Sequence, residues 1–302
     1  MVTRKSNISK DTIVSVSMIV PALILVVVFT IMPFFMSLVL SLTDGPGNNI
    51  ESFVGLNHFI RVFNDKKFLS IDASSGIPKG ALINTLLWMI TAVPGTIVLG
   101  FLIALAANNK EGEGLFRSAF FLPMVLAGTV LGIIWAFVYS PNKGIGLLNA
   151  ILDKNISWLG DSNIVNFSLI FAWIWAQTGM AVVISAAALK GVPIDQIEAS
   201  KIDGANRVTR LFKIILPEIH PQMYMLITTL LVSVLKVFDI VKVMTNGGPA
   251  NQSITLALLF YEQTFSFYKP HYGAAIVVVM SVIVFGVYGI NNWIQKRGVE
   301  DR

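Results

Sequence analysis

The chain has 302 residues, of which 55% are hydrophobic and only 13% are charged, and its formal net charge is +5. A soluble domain of this length needs more charge to cover its surface, so the composition favours a membrane protein. The absence of cysteine excludes disulfides, thiolate metal sites and thiol nucleophiles, and three widely spaced histidines argue against a histidine-rich metal site.

The first predicted element is an apolar run at 13–42. Arg4, Lys5 and Lys10 precede it, as in a signal peptide. The run is far longer than a signal-peptide core, however, and no small-x-small cleavage site follows it. We therefore predict that a cytoplasmic N-terminus at 1–12 is followed by a transmembrane helix that is retained in the mature protein.

Five further apolar runs are long enough to cross a bilayer, which takes about 20 residues of helix. Prolines inside some of the runs are tolerated, because neighbouring helices satisfy the freed backbone groups. The sequence predicts an all-α membrane protein with six transmembrane helices in a permease domain at 13–294, followed by a tail at 295–302. The five further runs lie at 82–107, 115–139, 163–188, 222–245 and 272–294.

Lysine and arginine are concentrated on one side of this topology. With the N-terminus in the cytoplasm, 13 of the 22 lie in cytoplasmic segments, seven lie in outer segments and two lie in the fifth span. Because cytoplasmic loops carry the excess of these residues, both termini are predicted to be cytoplasmic. Trp135, Tyr139, Trp158 and Trp293 fall near span ends, which favours an interfacial aromatic belt and leaves sugar stacking as the alternative.

Two connecting segments are long. The outer segment at 43–81 has turn signals at 44–47 and 74–76. The inner segment at 189–221 predicts two short helices that meet at Gly204, the first starting after Pro193 and the second running from Arg207 to Leu216 and ending at Pro217. Such a pair suits a knob that docks into a groove on another protein. The predicted apolar positions of the two helices are Ile194, Ile197, Ile202, Val208, Leu211, Phe212 and Ile215.

This inner segment resembles the cytoplasmic motif E-A-A-x3-G-x9-I-x-L-P of binding-protein-dependent ABC permeases. Ser200 replaces the second alanine, which is a small-for-small change. The resemblance implies that the segment couples the chain to an ATPase. The implied coupling residues are Glu198, Ala199, Ser200, Asp203, Gly204, Ile214, Leu216 and Pro217.

Other segments, spread from about residue 31 to residue 288, resemble the maltose-type carbohydrate branch of that family. The chain departs from the branch at Asn246, in place of a glycine, and at Lys242, where an aromatic residue is common. Both departures lie near the expected substrate path. The matching segments are Gly55-Leu56-Asn57-His58-Phe59, Asn84-Thr85, Phe121-Leu122-Pro123, Phe238-Asp239 and Met244-Thr245-Asn246-Gly247-Gly248-Pro249.

The resemblance implies one membrane-spanning subunit of a bacterial ABC importer for sugars, with oligosaccharides expected as solutes. Its implied partners are a second, homologous permease subunit, two ATPase subunits, an extracytoplasmic solute-binding protein and the lipid bilayer of the cell membrane, with no nucleic acid. The chain lacks the phosphate-binding pattern G-x-x-x-x-G-K-[ST], so ATP and Mg²⁺ are expected on the ATPase partners and no cofactor or enzymatic activity is expected in this chain.

The fifth span carries three charged residues, Lys236, Asp239 and Lys242, which a continuous helix would place within about 120° of one face. Charges in a membrane face a partner or a watery cavity, so they either form a structural network or line the solute path. A sugar site should combine hydrogen-bonding groups with an aromatic face. The further candidates for the path are Trp173, Trp175, Gln177, Asn246, Gly247, Gly248, Asn251 and Tyr261.

Three other functions stay open. Two lysines in span five could attract an anionic solute, such as a glycerol phosphate or an acidic oligosaccharide. An ion-coupled secondary transporter would usually have paired broken spans and several buried acids, whereas Asp239 is the one clear buried acid in the sequence. A membrane enzyme would need a cluster of converging polar residues, which the predicted spans lack.

Overall fold

The computed structural model describes residues 10–71, 78–107 and 113–300. In the first part of the chain, α1 continues through a π-helical turn (Val27–Ile31) into α2. Two small antiparallel hairpins follow, in which β1 pairs with β2 and β3 pairs with β4. The elements up to the second hairpin are α1 (Lys10–Val26), α2 (Met32–Ser41), β1 (Thr43–Asp44), β2 (Ser52–Phe53), α3 (Asn57–Asn64), β3 (Ser70–Ile71) and β4 (Pro78–Lys79).

The remaining described elements are helical. A π-helical turn (Leu211–Ile215) separates α10 from α11, and another (Glu262–Ser266) follows α14. The helices are α4 (Ala81–Ala107), α5 (Glu113–Val125), α6 (Gly128–Val138), α7 (Leu147–Leu152), α8 (Val165–Lys190), α9 (Ile194–Ile202), α10 (Arg207–Arg210), α11 (Leu216–Glu218), α12 (His220–Leu235), α13 (Asp239–Met244), α14 (Leu256–Tyr261) and α15 (Pro270–Glu300).

The described residues form two compact units. One contains the residues up to 62 together with 263–278, and the other contains 63–262 together with the residues from 279 onward. In the first unit, both nitrogens of the buried His271 lie 3.1 Å from backbone carbonyls, those of Leu40 and Asn49. His58 lies 3.1 Å from the carbonyl of Thr43. These histidines therefore fasten loops within this unit.

Within the described residues, five helical stretches are long and apolar enough to cross a membrane, and one bent helix pair can supply a sixth span. The predictions of spans one, two, four and six are confirmed to within a few residues at each end. The prediction of an all-α membrane fold with up to six spans is confirmed as well. The five stretches are Ser17–Ser41, Ala81–Ala107, Val165–Lys190, His220–Met244 and Pro270–Gln295.

The prediction of span three as one helix over 115–139 is wrong. The helix stops at Val125, Ala127 adopts an extended conformation (ψ 142°), and the helix resumes at Gly128 after a bend of 105°. Pro123 lies inside α5 and does not break it. The bend instead allows Gly128 and Gly132 of α6 to approach α13, where a Cβ on either glycine would lie less than 3 Å from an atom of Asp239 or Val243.

Span five, predicted at 222–245, is confirmed as the stretch His220–Met244, but it is not one continuous helix. Helix α12 ends at Leu235, and α13 begins at Asp239. Phe238 has φ −135° and ψ −59°, which lies outside the helical region. Lys236 and Asp239 therefore flank a break, and the argument that placed them on one face of a regular helix does not apply.

The second unit is built around the pair α4 and α8. Small residues allow these helices to approach closely. A Cβ on Gly95 would lie 2.8 Å from Ile174, and one on Gly100 would overlap Ala181. On α8, a Cβ on Gly179 would overlap the carbonyl oxygen of Phe120 in α5. These contacts fix α4, α5 and α8 against one another.

The aromatic residues assigned to an interfacial belt are largely internal. Trp135 and Tyr139 are both buried, with their ring centroids 5.1 Å apart. The Tyr139 hydroxyl donates to the carbonyl of Ser168, and Trp158 Nε1 donates to Asn149 Oδ1. Trp135, Tyr139 and Trp158 therefore hold the segment 140–164 against α8, whereas Trp293 is exposed near the end of α15.

Candidate functional site

A cavity of about 250 Å³ opens in the second unit beside both helix breaks. It is lined by the end of α5 and start of α6, by one face of α8, and by the segment that joins α12 to α13. Four of the predicted path residues meet here, although they come from separate parts of the sequence: Trp173, Gln177, Lys236 and Asp239. The cavity therefore brings together four predicted path residues from two separate helical regions of the chain.

Lys236 and Asp239 give the cavity one positive and one negative charge. Among the described residues, neither side chain has an ion-pair partner within 4.0 Å. The internal Lys–Asp–Lys network considered from the sequence is therefore not formed in the described structure. Asp239 lies against the start of α6, where a Cβ on Gly128 would lie 2.9 Å from Oδ2.

The opposite wall of the cavity comes from α8. Trp173 and Gln177 are one helical turn apart, so the indole and the amide lie on the same face. Trp173 is 5% exposed and packs edge to face against Trp88 at 6.2 Å. Trp175 points elsewhere, with its ring 5.6 Å from that of Trp135. Of the two tryptophans, only Trp173 lines the cavity, because residues two positions apart lie on different faces of a helix.

The other predicted path residues lie outside the cavity lining. Lys242 Nζ donates to Asn246 Oδ1 at 2.7 Å and lies 5.2 Å from the centre of the Tyr261 ring. Asn246 and Asn251 have positive φ values in the loop after α13, as does Gly247 (φ +82°). Ser253 Oγ donates to the carbonyl of Gly248 within the same loop. The second lysine of span five therefore adds no charge to the lining.

Several lining residues were missed by the sequence analysis. Ser233, Val237 and the main chain at Gly128 were not assigned, because their positions depend on the two helix breaks. Gly128 and Gly132 carried a usable signal. Two glycines four residues apart in an apolar span indicate a close helix contact.

The predicted two-helix shape of the inner segment is confirmed. Helix α9 ends at Ile202, and Gly204 adopts φ +76°, a left-handed conformation that glycine adopts without strain. Asn206 then caps α10, because its Oδ1 accepts from the Thr209 amide at 2.7 Å. The second helical stretch runs through Pro217 and ends at Glu218, one residue beyond the predicted end.

The base of this coupling segment (residues 189–221) is buried against α8. Ile197, Ile215 and Leu216 pack on a cluster formed by Ala188, Val192 and Ile219. Among the predicted coupling residues, Ser200 is buried and donates to the Ile197 carbonyl at 2.6 Å. Ile214 and Pro217 are half-buried, whereas Glu198, Ala199, Asp203 and Gly204 are exposed.

The tip of the coupling segment exposes apolar side chains. Ile202 is 87% exposed, and Val208 and Phe212 are 64% and 62% exposed. The predicted apolar stripe is thus divided, with one part anchoring the segment and the other facing outward. Exposed Glu198 lies on the same helix as Ile202. An outward apolar surface of this kind is typical of a protein contact.

Known proteins resemble this chain over most of its length. The chain is 34% identical over 277 residues to the osmoprotective compounds uptake permease protein GgtC of Synechocystis sp., covering 89% of this chain and 94% of the relative. It is 34% identical over 292 residues to the alpha-glucoside transport system permease protein AglF of Rhizobium meliloti, covering 92% of this chain and 82% of the relative.

A solved structure has the same fold. A chain of a bacterial alginate ABC transporter, crystallised in complex with an alginate pentasaccharide-bound periplasmic protein, superposes with a TM-score of 0.81 at 18% identity, covering 98% of each chain. The model of the binding-protein-dependent transport system inner membrane component family matches residues 96–298. This chain therefore belongs to that family and is a membrane-embedded transport subunit, not an enzyme.

Proposed function

We propose that the chain is one of two membrane-spanning subunits of an ATP-driven importer for neutral oligosaccharides. The observation that carries the solute class is the cavity lining, which combines one indole, one amide and one charge of each sign. An indole offers a flat apolar face for a sugar ring, and Gln177, Lys236 and Asp239 offer donors and acceptors for hydroxyl groups. The name of the related alpha-glucoside transport system permease protein supports a saccharide.

The charges favour a neutral solute over an anionic one. Lys236 and Asp239 cancel in net charge, and the second lysine of span five is engaged by Asn246. An anion that enters the cavity would meet Asp239 as well as Lys236. This balance weakens the alternative of a glycerol phosphate or an acidic oligosaccharide.

The size of the cavity supports a second subunit. Small-molecule sites usually enclose about 300–1,000 Å³, and this cavity of about 250 Å³ is open on one side. A homologous permease subunit that supplies the opposite wall would complete a path for an oligosaccharide. An extracytoplasmic binding protein would deliver the solute to that path.

The coupling segment is proposed to dock on an ATPase subunit. Its exposed apolar tip needs a protein cover, and Glu198 is placed to pair with a cation on that partner. ATP and Mg²⁺ would bind to two such ATPase subunits. Closure of the ATPases would then move the segment, whose buried base is packed on α8 and transmits the motion to the spans.

Both termini and the coupling segment are proposed to face the cytoplasm. Cysteine labelling tests this orientation. The chain has no cysteine of its own, and single cysteines are introduced at the exposed positions Gln196 and Ala150, whereas Ser200 is buried and would react poorly. An impermeant maleimide should label the Ala150→Cys variant in intact cells and the Gln196→Cys variant only after permeabilisation. Labelling of both variants in intact cells would contradict the orientation.

The function is tested by uptake into proteoliposomes that contain the complete transporter and its binding protein. We expect accumulation of a neutral oligosaccharide that requires ATP hydrolysis and stops with a non-hydrolysable ATP analogue. Uptake driven by an ion gradient without ATP would point to a secondary transporter. A preference for an acidic oligosaccharide at equal binding-protein saturation would refute the neutral solute class.

A further inference from the structure

Two amide side chains hold the loop that follows α13. Asn84 of α4 donates from Nδ2 to the carbonyl of Ile254 at 2.8 Å. Asn166 of α8 donates to the carbonyl of Gln252 at 2.8 Å and to Asn84 Oδ1 at 3.2 Å. Because both amides belong to the tightly packed pair α4 and α8, the segment 252–254 is fixed to the most rigid part of the second unit.

The same segment leads directly to the break in span five. Thr255 is only 1% exposed, and its hydroxyl donates to the carbonyl of Val237 at 2.9 Å. In an unbroken helix this carbonyl would accept from the amide of Val241, four residues along the chain. The Thr255 hydroxyl takes the place of that donor, so it stabilises the main chain in its broken conformation.

Hydrogen bonds within the loop after α13 connect the segment held by the two amides to the break in span five. Thr245 Oγ1 and Ser253 Oγ lie 2.8 Å apart, and Ser253 Oγ donates to the carbonyl of Gly248 at 2.6 Å. Thr85 Oγ1 accepts from the amide of Leu256 at 3.2 Å, which adds a second tie to α4. The loop is therefore bonded internally, to the scaffold helices and to the break.

We propose that Asn84, Asn166 and Thr255 are positioning residues that set the break in span five and thereby the shape of the cavity beside Lys236 and Asp239. None of the three lines the cavity. Their effect passes through the Val237 carbonyl, and Val237 is part of the lining. We call Asn84, Asn166 and Thr255 the clasp. Its functional importance rests on the proposal that the cavity is the solute path.

A cysteine reporter tests the clasp in the complete transporter. Ser233 lines the cavity, and the chain has no other cysteine, so a Ser233→Cys variant reports access to the break through its rate of reaction with a small polar maleimide. Adding Thr255→Val removes the hydroxyl at nearly constant volume. The expected result is a change of about fivefold in the labelling rate, the size that the loss of one hydrogen bond implies.

Three matched variants separate this effect from general destabilisation. Thr255→Ser keeps the hydroxyl and should restore the original labelling rate. Thr91→Val removes a hydroxyl that only bonds the Leu87 carbonyl within α4, and should leave the rate unchanged. A Gln196→Cys reporter on the coupling segment should be insensitive to Thr255→Val. A rate at Ser233→Cys that is the same with Thr255→Val as with Thr91→Val would overturn the proposal.

If the Thr255→Val protein does not accumulate in the membrane, the milder substitution Asn166→Ala tests the same proposal. Asn166→Ala removes the bonds to Gln252 and to Asn84 but leaves the bond from Asn84 to Ile254 in place, so it should change the Ser233→Cys rate in the same direction, by a smaller factor. An unchanged rate in that variant would also overturn the proposal. Protection of Ser233→Cys by transported solute, measured with native Thr255, separately tests whether the cavity is the path.

Discussion

Two groups of helices in the second unit differ in whether their main chain is continuous. Helices α4 and α8 are continuous over 27 and 26 residues and pack through glycines and alanines. The α5–α6 and α12–α13 pairs are instead interrupted at 126–127 and 236–238. The continuous pair gives a rigid frame, whereas the interrupted pairs expose main-chain groups and charges where they meet.

This difference explains why polar groups are concentrated beside the helix breaks. Irregular backbone at membrane depth is tolerated only inside protein or beside a water-filled cavity. Lys236 and Asp239 flank such a break and line the cavity with Trp173 and Gln177 of the continuous α8. The continuous helix α8 thus supplies the indole and the amide of the lining, and the broken segment supplies its two charges.

The largest effect is expected from a substitution in the frame. In the Gly100→Val variant, the added Cβ would overlap Ala181 and approach the backbone of Val182, so the helices must separate. The cost should reach the upper end of the ~1–3 kcal/mol typical of overpacking, and the protein should be lost from the membrane fraction. Quantitative immunoblotting of membranes measures this loss.

Gly289→Val is the matched control for the frame. Gly289 lies in α15, and a Cβ there would meet no heavy atom within 4 Å. The Gly289→Val variant should accumulate normally. Equal amounts of the Gly100→Val and Gly289→Val variants would contradict the contrast between a rigid frame and an open helix surface.

A second prediction concerns the coupling segment, whose base extends the frame toward the proposed ATPase contact. Gly204 has φ +76° but no neighbour near its missing Cβ, so backbone strain alone limits substitution. Gly204→Val should cost ~1–2 kcal/mol locally and should largely abolish solute-stimulated ATP hydrolysis while the protein still inserts. Gly204→Asn should retain most of that activity, because asparagine tolerates this conformation.

The same assay examines the proposed contact itself. Glu198→Ala should also abolish stimulation, since it removes the charge that is expected to pair with the ATPase. Solute-stimulated hydrolysis at the native level in both Glu198→Ala and Gly204→Val would show that the segment does not couple the subunits.

The smallest effect is expected for selectivity between solutes. Lys236→Gln leaves Asp239 as the single charge in the lining, so uptake of an acidic relative to a neutral oligosaccharide should fall about fivefold, or ~1 kcal/mol for two charges 4 Å apart in water. Lys242→Gln should leave this ratio unchanged, because Lys242 bonds Asn246 outside the cavity. A larger change in this uptake ratio for Lys242→Gln than for Lys236→Gln would show that Lys242, and not Lys236, discriminates between the solutes.

The sequence predicted the fold class, the positions of five of the six spans and the two-helix shape of the coupling segment, because their signals are local. Apolar run length identifies a span, and Gly204 followed by the cap residue Asn206 identifies the turn between two short helices. The breaks at 126–127 and 236–238 could not be predicted in this way. The break at 236–238 is stabilised by Thr255, outside span five, whereas Pro123, the obvious breaker, lies inside the intact helix α5.

The same reasoning explains the partial success at the cavity. Residue chemistry selected Trp173, Gln177, Lys236 and Asp239, which line one cavity, whereas helical periodicity placed Lys242 on the same face as Lys236 and Asp239. That extrapolation failed at the break, because a non-helical segment resets the direction of every later side chain. Sequence periodicity predicts a face only where the helix is continuous.

The central claim is that the cavity beside the break in span five carries the solute. Its most direct test is ATP-driven uptake by the reconstituted transporter with a single cysteine at Ser233→Cys, before and after complete reaction with a bulky maleimide. The account predicts that modification blocks uptake, while the same modification of a Gly286→Cys variant on the open surface of α15 leaves uptake intact. Undiminished uptake by fully modified Ser233→Cys transporter would contradict the claim.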